Sequence, residues 1–406
     1  MPLPTGLSHV VATISPPLGD RVNTPVEVTN LKALGSYNWI DYSIPTIAVP
    51  GIPPTWKDQP IPIHLSKDLG APFFDEGIAR KCGYTLESLL LAIEVSQAAD
   101  PDFDLSKEGI DIVTNRKILR KLMRFSDSRI ETKGKYNLSG FRIDAQLALN
   151  GRTMILTGYD KDVYGLDSIT PDHICERMCT EELPTIHATD SSGDEINLRP
   201  VGYYRIVRYD LLGLRFLVRS RVDGKLGSSP HPKLEVSSEP EIEDLSIALG
   251  KTTLEMKPVD DSIPIHHNEG SGIRHVKFGE YVPQDLLMDI KLAHKGKVYW
   301  SNVYPQCLLS QTPNLKVAAR TTTPRGENFV TQIQTYDQHS LKTEHQRQSS
   351  QFRRLVSVIK QMRQIIQAFG NSSQPLAFVW SRKGDMRVHK IHEKGKYLSD
   401  EGLDKF

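Results

Sequence analysis

The sequence predicts a mixed α/β protein, a central sheet rich in hairpins flanked by helices, and three observations carry that expectation. Gln348 to Phe369 repeats apolar residues at helical spacing. Tyr203 to Leu211 and Leu214 to Asp223 are two apolar, β-branched and aromatic runs separated only by Leu212 and Gly213, the pattern of a hairpin. Leu214 to Asp223 and Leu286 to Ala293 also place charges at alternate positions, so that Arg221 shares a strand face with Asp223, and Asp289 with Lys291.

The elements follow along the chain. Residues 1–35 read as an N-terminal arm, and the proline-rich stretches IPTIAVPGIPPTW and DQPIPIHL suit extended chain with short edge strands. Thr85 to Ala98 places Leu86, Leu89, Leu90 and Ile93 at helical spacing. A second helix after Thr114 carries Ile118, Leu119, Leu122 and Met123 on one side. Its other positions hold Arg116, Lys117, Arg120, Lys121 and Arg124, five positive charges in nine residues, a concentration suited to a solvated face or to phosphates. Phe141 to Leu149 and Thr153 to Tyr159 read as strands ahead of the hairpin. Residues 224–284 shift to SSPHPKLEVSSEPEIEDLS and HHNEGSGIRH, a composition expected of a flexible insertion, with His266 and His267 exposed in it. Leu315 to Ala319 is a further strand. The long helix buries Phe352, Leu355, Val356, Ile359, Met362, Ile366 and Phe369 and stops at Gly370. Strands at Ala377 to Ser381 and Met386 to Ile391 complete a single domain over 36–391, and 392–406 is left as a tail.

Composition narrows the function classes. The 406 residues suffice for a large core, and a formal net charge of +1 gives no global field to recruit nucleic acid or an anionic membrane. No apolar run approaches the roughly 18 to 20 residues that span a bilayer. MPLPTGLSHVVATISPP lacks the basic and apolar regions of a secretory signal, which predicts an intracellular protein, nuclear or cytoplasmic. Cys82, Cys175, Cys179 and Cys307 read as buried reduced thiols, because His173 with Cys175 and Cys179 falls short of the four ligands that structural zinc takes.

An aspartate ending one strand and an acid-x-Lys on a neighbouring one form the minimal PD-(D/E)XK nuclease arrangement. Carboxylates hold a divalent metal, and the lysine orients or activates water. The order of TNRKILRKL at Thr114, HICERMCT at His173, RYDLLGLRFLVRSRVD at Arg208, MDIKLA at Met288 and VYPQCLLSQTPNLKVA at Val303 resembles the decapping-and-exoribonuclease (DXO-like) family. It looks closest to a divergent fungal branch, which SYNWIDYSIPTIAVPGIPPTW at Ser36 also resembles, so that the likeness runs from about Ser36 to Ile391.

That resemblance implies a central mixed sheet of the PD-(D/E)XK type and hydrolysis of aberrant or non-canonical RNA 5′ ends with Mg²⁺ or Mn²⁺. It implies the RNA 5′ end as partner, with a 5′–3′ exoribonuclease as a possible second. By position, Arg116 would contact RNA phosphate, and Glu176, Asp223 and Asp289 would be metal ligands. Lys291 and Gln306 would act at the scissile phosphate. The chain departs from the pattern where E-x-D is expected, since Arg221 stands two residues before Asp223 and brings a permanent cation to a ligand position. Asp289 also replaces the usual glutamate, and Cys175 the aromatic before Glu176. Two readings remain open: a metal-dependent 5′-end hydrolase, or a pseudonuclease that binds RNA or a protein partner through Arg116, Arg219 and Arg221.

Overall fold

The computed structural model describes residues 6–18, 25–66, 85–127, 140–159, 170–190, 192–227, 262–268, 270–392 and 398–406. In chain order the first half runs β1 (Leu7–Ile14), β2 (Val28–Asp41), β3 (Thr46–Gly51), β4 (Ile63–Leu65), α1 (Glu87–Gln97), β5 (Ile112–Asn115), α2 (Arg116–Ser126), β6 (Phe141–Leu147), β7 (Met154–Tyr159), α3 (Pro171–Met178) and β8 (Ile186–Thr189). It continues with β9 (Glu195–Leu211), β10 (Leu214–Val222), β11 (Gly224–Lys225), β12 (Ile263–Pro264), β13 (His266–Asn268), β14 (Ile273–Gly279) and β15 (Leu287–His294). The last part comprises α4 (Trp300–Ser310), β16 (Asn314–Thr322), β17 (Asn328–Tyr336), α5 (Lys342–Phe369), β18 (Leu376–Trp380), β19 (Met386–Ile391) and α6 (Asp400–Asp404).

The expected mixed α/β architecture is present. A large mixed sheet runs β1-β19-β18-β6-β7-β5-β10-β9-β2-β3-β14-β13, with β8 and β12 attached beside β9, and a smaller sheet runs β11-β15-β16-β17-β4. Parallel pairing joins β5 to β7 and to β10, β3 to β14, and β15 to β16. Helices α2, α4 and α5 cover one face of the large sheet, where Ile118, Leu119, Tyr304, Phe352 and Ile359 pack with Phe216 and Val218. On the other face α1 and α6 bury Leu89, Leu90 and Leu403 with Leu217 and Ile206. A third cluster seats α3 on the smaller sheet through Ile174, Cys175, Met288 and Ile290.

The hairpin between β9 and β10 closes as expected: Leu212 and Gly213 both have positive φ, 51° and 80°, which the right-handed twist of a two-residue turn demands. In α5 the apolar stripe from Phe352 to Ile366 is buried, whereas Phe369, expected on the same face, closes the last turn and is 46% exposed. Cys175, Cys179 and Cys307 are buried free thiols, and Cys82 lies outside the described residues.

Three expectations are corrected. The boundary at residue 35 cuts through β2, an interior strand between β9 and β3, while β1 lies at the sheet edge against β19. The supposed flexible insertion is structured from 262 to 268 and from 270 to 284, where β14 pairs with β3 and buries Ile273 and Val276, while 228–261 lie outside the described residues. His266 and His267 are exposed, but on β13 rather than in a loop. The expected C-terminal tail ends in α6, whose Leu403, with Leu398 and Phe406, is buried. Among the described residues no helix is long and apolar enough to cross a membrane.

Candidate active site

The charged cluster forms where the two sheets meet. Strand β10 delivers Arg221, Asp223 follows it, and the chain passes directly into β11, which pairs with β15. The Asp223 carboxylate accepts the Ile290 N–H at 2.9 Å, fastening the end of one sheet to β15 of the other. Strand β15 supplies Asp289 and, two residues on, Lys291. Helix α3 supplies Glu176; its N-terminus is fixed by Thr170, whose hydroxyl accepts the His173 N–H, and by Pro171 in the first turn. The parallel register that sets Asn115 of β5 against Arg219 of β10 makes Arg116 the first residue of α2, level with the end of β10.

All three acids meet cations. Arg221 Nη2 lies 2.5 Å from Glu176 Oε2 and 3.9 Å from Asp223 Oδ1. Arg116 Nη1 donates to Asp289 Oδ2 at 2.7 Å and to Ser310 Oγ of α4 at 3.2 Å. Lys291 adds a third positive charge, which acts on both Glu176 and Asp289. Burial opposes the charge on Arg221, but Glu176 and Asp223 outweigh it and hold its pKa above the ordinary range. Burial, reinforced by Asp223, pushes Glu176 up to about 7 against the pull of Arg221 and Lys291. Burial likewise raises Asp289, although Arg116 pulls the other way. Three carboxylates and three cations leave the cluster formally neutral.

A divalent ion does not fit this arrangement. Mg²⁺ and Mn²⁺ need several convergent oxygens, and among the described residues no three His, Cys, Asp or Glu side chains stand close enough to share one ion. Asp289 Oδ1 is buried without a hydrogen-bond partner, so one acceptor is available. The space between Glu176 and Asp223 is instead held by the Arg221 guanidinium, and a cation about 4 Å from it would meet repulsion of about 2e²-type strength, roughly 8 kcal/mol for a dication at an effective dielectric of 20. Permanent charge and planar donors make arginine a lasting occupant.

The other expected residues divide. Gln306 is on α4 and buried, with its amide donating to the Asn302 carbonyl one turn back at 3.0 Å. Arg219 was expected to bind RNA but is 3% exposed, locked by hydrogen bonds to Asn115 Oδ1, the Thr85 carbonyl, Tyr37 Oη and Ser88 Oγ. It shares a strand face with Arg221 yet lies one pleat deeper, beneath α1, where it braces the fold. Sequence reasoning also missed Ser310, the hydroxyl that ties Arg116 to α4; no spacing relates it to the charged strands.

A family model described as a domain of unknown function (DUF8563) matches residues 8–396. No curated protein matches in sequence. Among solved structures, a mutant Schizosaccharomyces pombe Rai1 in complex with 3′-FADP superposes with a TM-score of 0.57 at 9% identity, covering 94% of this chain and 100% of that one. Scheffersomyces stipitis Rai1 in complex with (3′-NADP)⁺ and a calcium ion gives 0.56 at 11% identity, over 97% and 100%. Candida albicans Rai1 in complex with pU5 and Mn²⁺ gives 0.55 at 11% identity, over 97% and 98%. At such identities the likeness is one of fold, and it agrees with the decapping-nuclease resemblance read from the motif order.

Proposed function

Since the chain belongs to the DUF8563 family and has the fold of the Rai1 structures, we propose that it is a pseudonuclease that binds RNA 5′ ends without metal-dependent turnover. The observation that carries this reading is Arg221, seated 2.5 Å from Glu176 and 3.9 Å from Asp223. It supplies the positive charge that a metal would bring, but it neither acidifies water nor offers open coordination positions. What survives is a phosphate-binding surface. Lys291 has no ion-pair partner among the described residues, and Arg116 uses only Nη1 on Asp289 and Ser310, leaving further guanidinium donors for an anionic oxygen. The relatives in complex with pU5 and with phosphorylated dinucleotides support RNA 5′ ends as the ligand class.

The hydrolase reading has one observation in its favour, the unpartnered Oδ1 of Asp289 beside Lys291. A single assay separates the two: 5′-phosphorylated and 5′-hydroxyl oligoribonucleotides incubated with the protein and Mn²⁺, with binding and products both followed. The expected result is saturable binding that prefers the 5′-phosphate, weakens with salt and yields no products. Mn²⁺-dependent release from the 5′ end that Asp223→Ala abolishes would overturn it.

A further inference from the structure

Helix α2 carries more positive charge than the cluster uses. Arg116, Arg120 and Arg124 recur at four-residue intervals, a single stripe with a step of about 6 Å along the helix. Arg116 is paired with Asp289, but Arg120 and Arg124 make no hydrogen bond or ion pair among the described residues. Both line a small cleft of about 20 Å³ between α2 and the first turns of α4, whose opposite wall is Ser301 and Asn302. The acid in that cleft, Asp127, is already taken by Arg354 at 3.5 Å and Gln351 at 3.1 Å. Burial, then the like charges of Arg124 and Arg116, press the Arg120 pKa down to about 10, still fully charged at neutral pH. Like charges one turn apart destabilise a helix, and the one acid set against the stripe, Asp289, is bonded to Arg116 and only partly offsets the repulsion at Arg120.

We infer that the Arg120–Arg124 cleft is a second phosphate seat, which holds a backbone phosphodiester of single-stranded RNA downstream of the 5′ end. The inference rests on the 5′-end reading and extends it along the strand. The cleft admits an oxygen or two and no base, so it fixes position without reading sequence. Its place one and two turns beyond Arg116 suits an extended strand whose first phosphate lies at the charged cluster.

The test measures affinity for 5′-phosphorylated uridine mono- and pentanucleotides and for inorganic phosphate, in wild type, Arg124→Glu, and the Arg120→Ala/Arg124→Ala double variant. Arg124 is exposed, so its variant keeps the fold, which a thermal melt verifies. The expected result is a gain in affinity from mono- to pentanucleotide in wild type, of about tenfold or more, that both variants lose. Mononucleotide affinity stays unchanged, and the salt slope for the pentanucleotide drops by about 0.7 per phosphate released. A length gain that survives in both variants overturns the seat and leaves the 5′-end reading intact. Arg124-dependent binding of inorganic phosphate with no length gain assigns the cleft to free phosphate and also overturns it. Wild type that binds neither nucleotide overturns the reading and the seat together.

Discussion

Arg221→Met removes the cation between Glu176 and Asp223 while keeping most of the apolar stem, so its cost isolates the charge. Truncating one partner of a buried ion pair costs about 3 to 5 kcal/mol, because the remaining charge is stranded. The Arg221 side chain is 26% exposed, and water reaching the vacated space relieves part of that penalty, which sets the expectation at about 2 to 4 kcal/mol. The loss depends on pH. Glu176 titrates near 7 with the arginine in place and higher without it, so the variant escapes part of the penalty at pH 6 by protonating Glu176. Above pH 7 that escape closes in steps of up to about 1.4 kcal/mol per pH unit. Urea unfolding at pH 6 and pH 8, with the denaturant slope compared to confirm an unchanged folded state, reads both effects. A loss below about 1 kcal/mol at pH 8, or one independent of pH, would refute the seating of Arg221 between the two acids.

Other expectations follow from the same geometry. Because the folded pKa of Glu176 is raised from 4.5 to about 7, the folded state holds a proton that the unfolded chain releases. This contribution is complete below pH 4.5 and lost as pH rises through 7, an interval worth at most about 3 kcal/mol. Glu176→Gln should flatten that part of the stability profile, and a wild-type profile that rises across the interval would contradict the assignment. Arg219→Leu should cost about 3 kcal/mol or more by stranding the groups around Asn115 and Ser88, while RNA affinity of the folded fraction stays unchanged; a selective loss of RNA binding would restore Arg219 to the interface. Gly279→Ala should strongly destabilise β14, because φ is +96° there and a Cβ would collide with the Gly51 carbonyl oxygen of β3; a loss under 1 kcal/mol in thermal or urea unfolding would show that the β3–β14 pairing is looser than described.

Periodicity made α5 and the β9–β10 hairpin legible, because their burial is one-sided and a single stripe or alternation survives in the sequence. Strand β2 was not legible in the same way. VTNLKALGSYNWID lacks clean alternation because bulges shift its register against β9 at three places, and Leu34 to Ile40 are all buried. Strand β14 hides for the opposite reason: IRHVKFG carries enough charge to read as loop, and only pairing with β3 shows that Ile273 and Val276 point inward. At the site, the D-x-K spacing and the displaced arginine were readable because a strand keeps i and i+2 on one face. Depth was not readable. Arg219 and Arg221 obey the same alternation, and only the cover of α1 over one and the approach of α3 to the other separates a brace from a site residue. The Arg116–Ser310 bond depends on where α4 docks, which no local pattern encodes.

Calorimetric titration with Mn²⁺ of wild type, Arg221→Glu and Asp223→Ala tests the central claim most directly. The account predicts no saturable binding by wild type or Asp223→Ala and measurable binding by Arg221→Glu, in which a carboxylate stands where the guanidinium sits. Binding by wild type that Asp223→Ala abolishes would contradict it and make the cluster a working metal site.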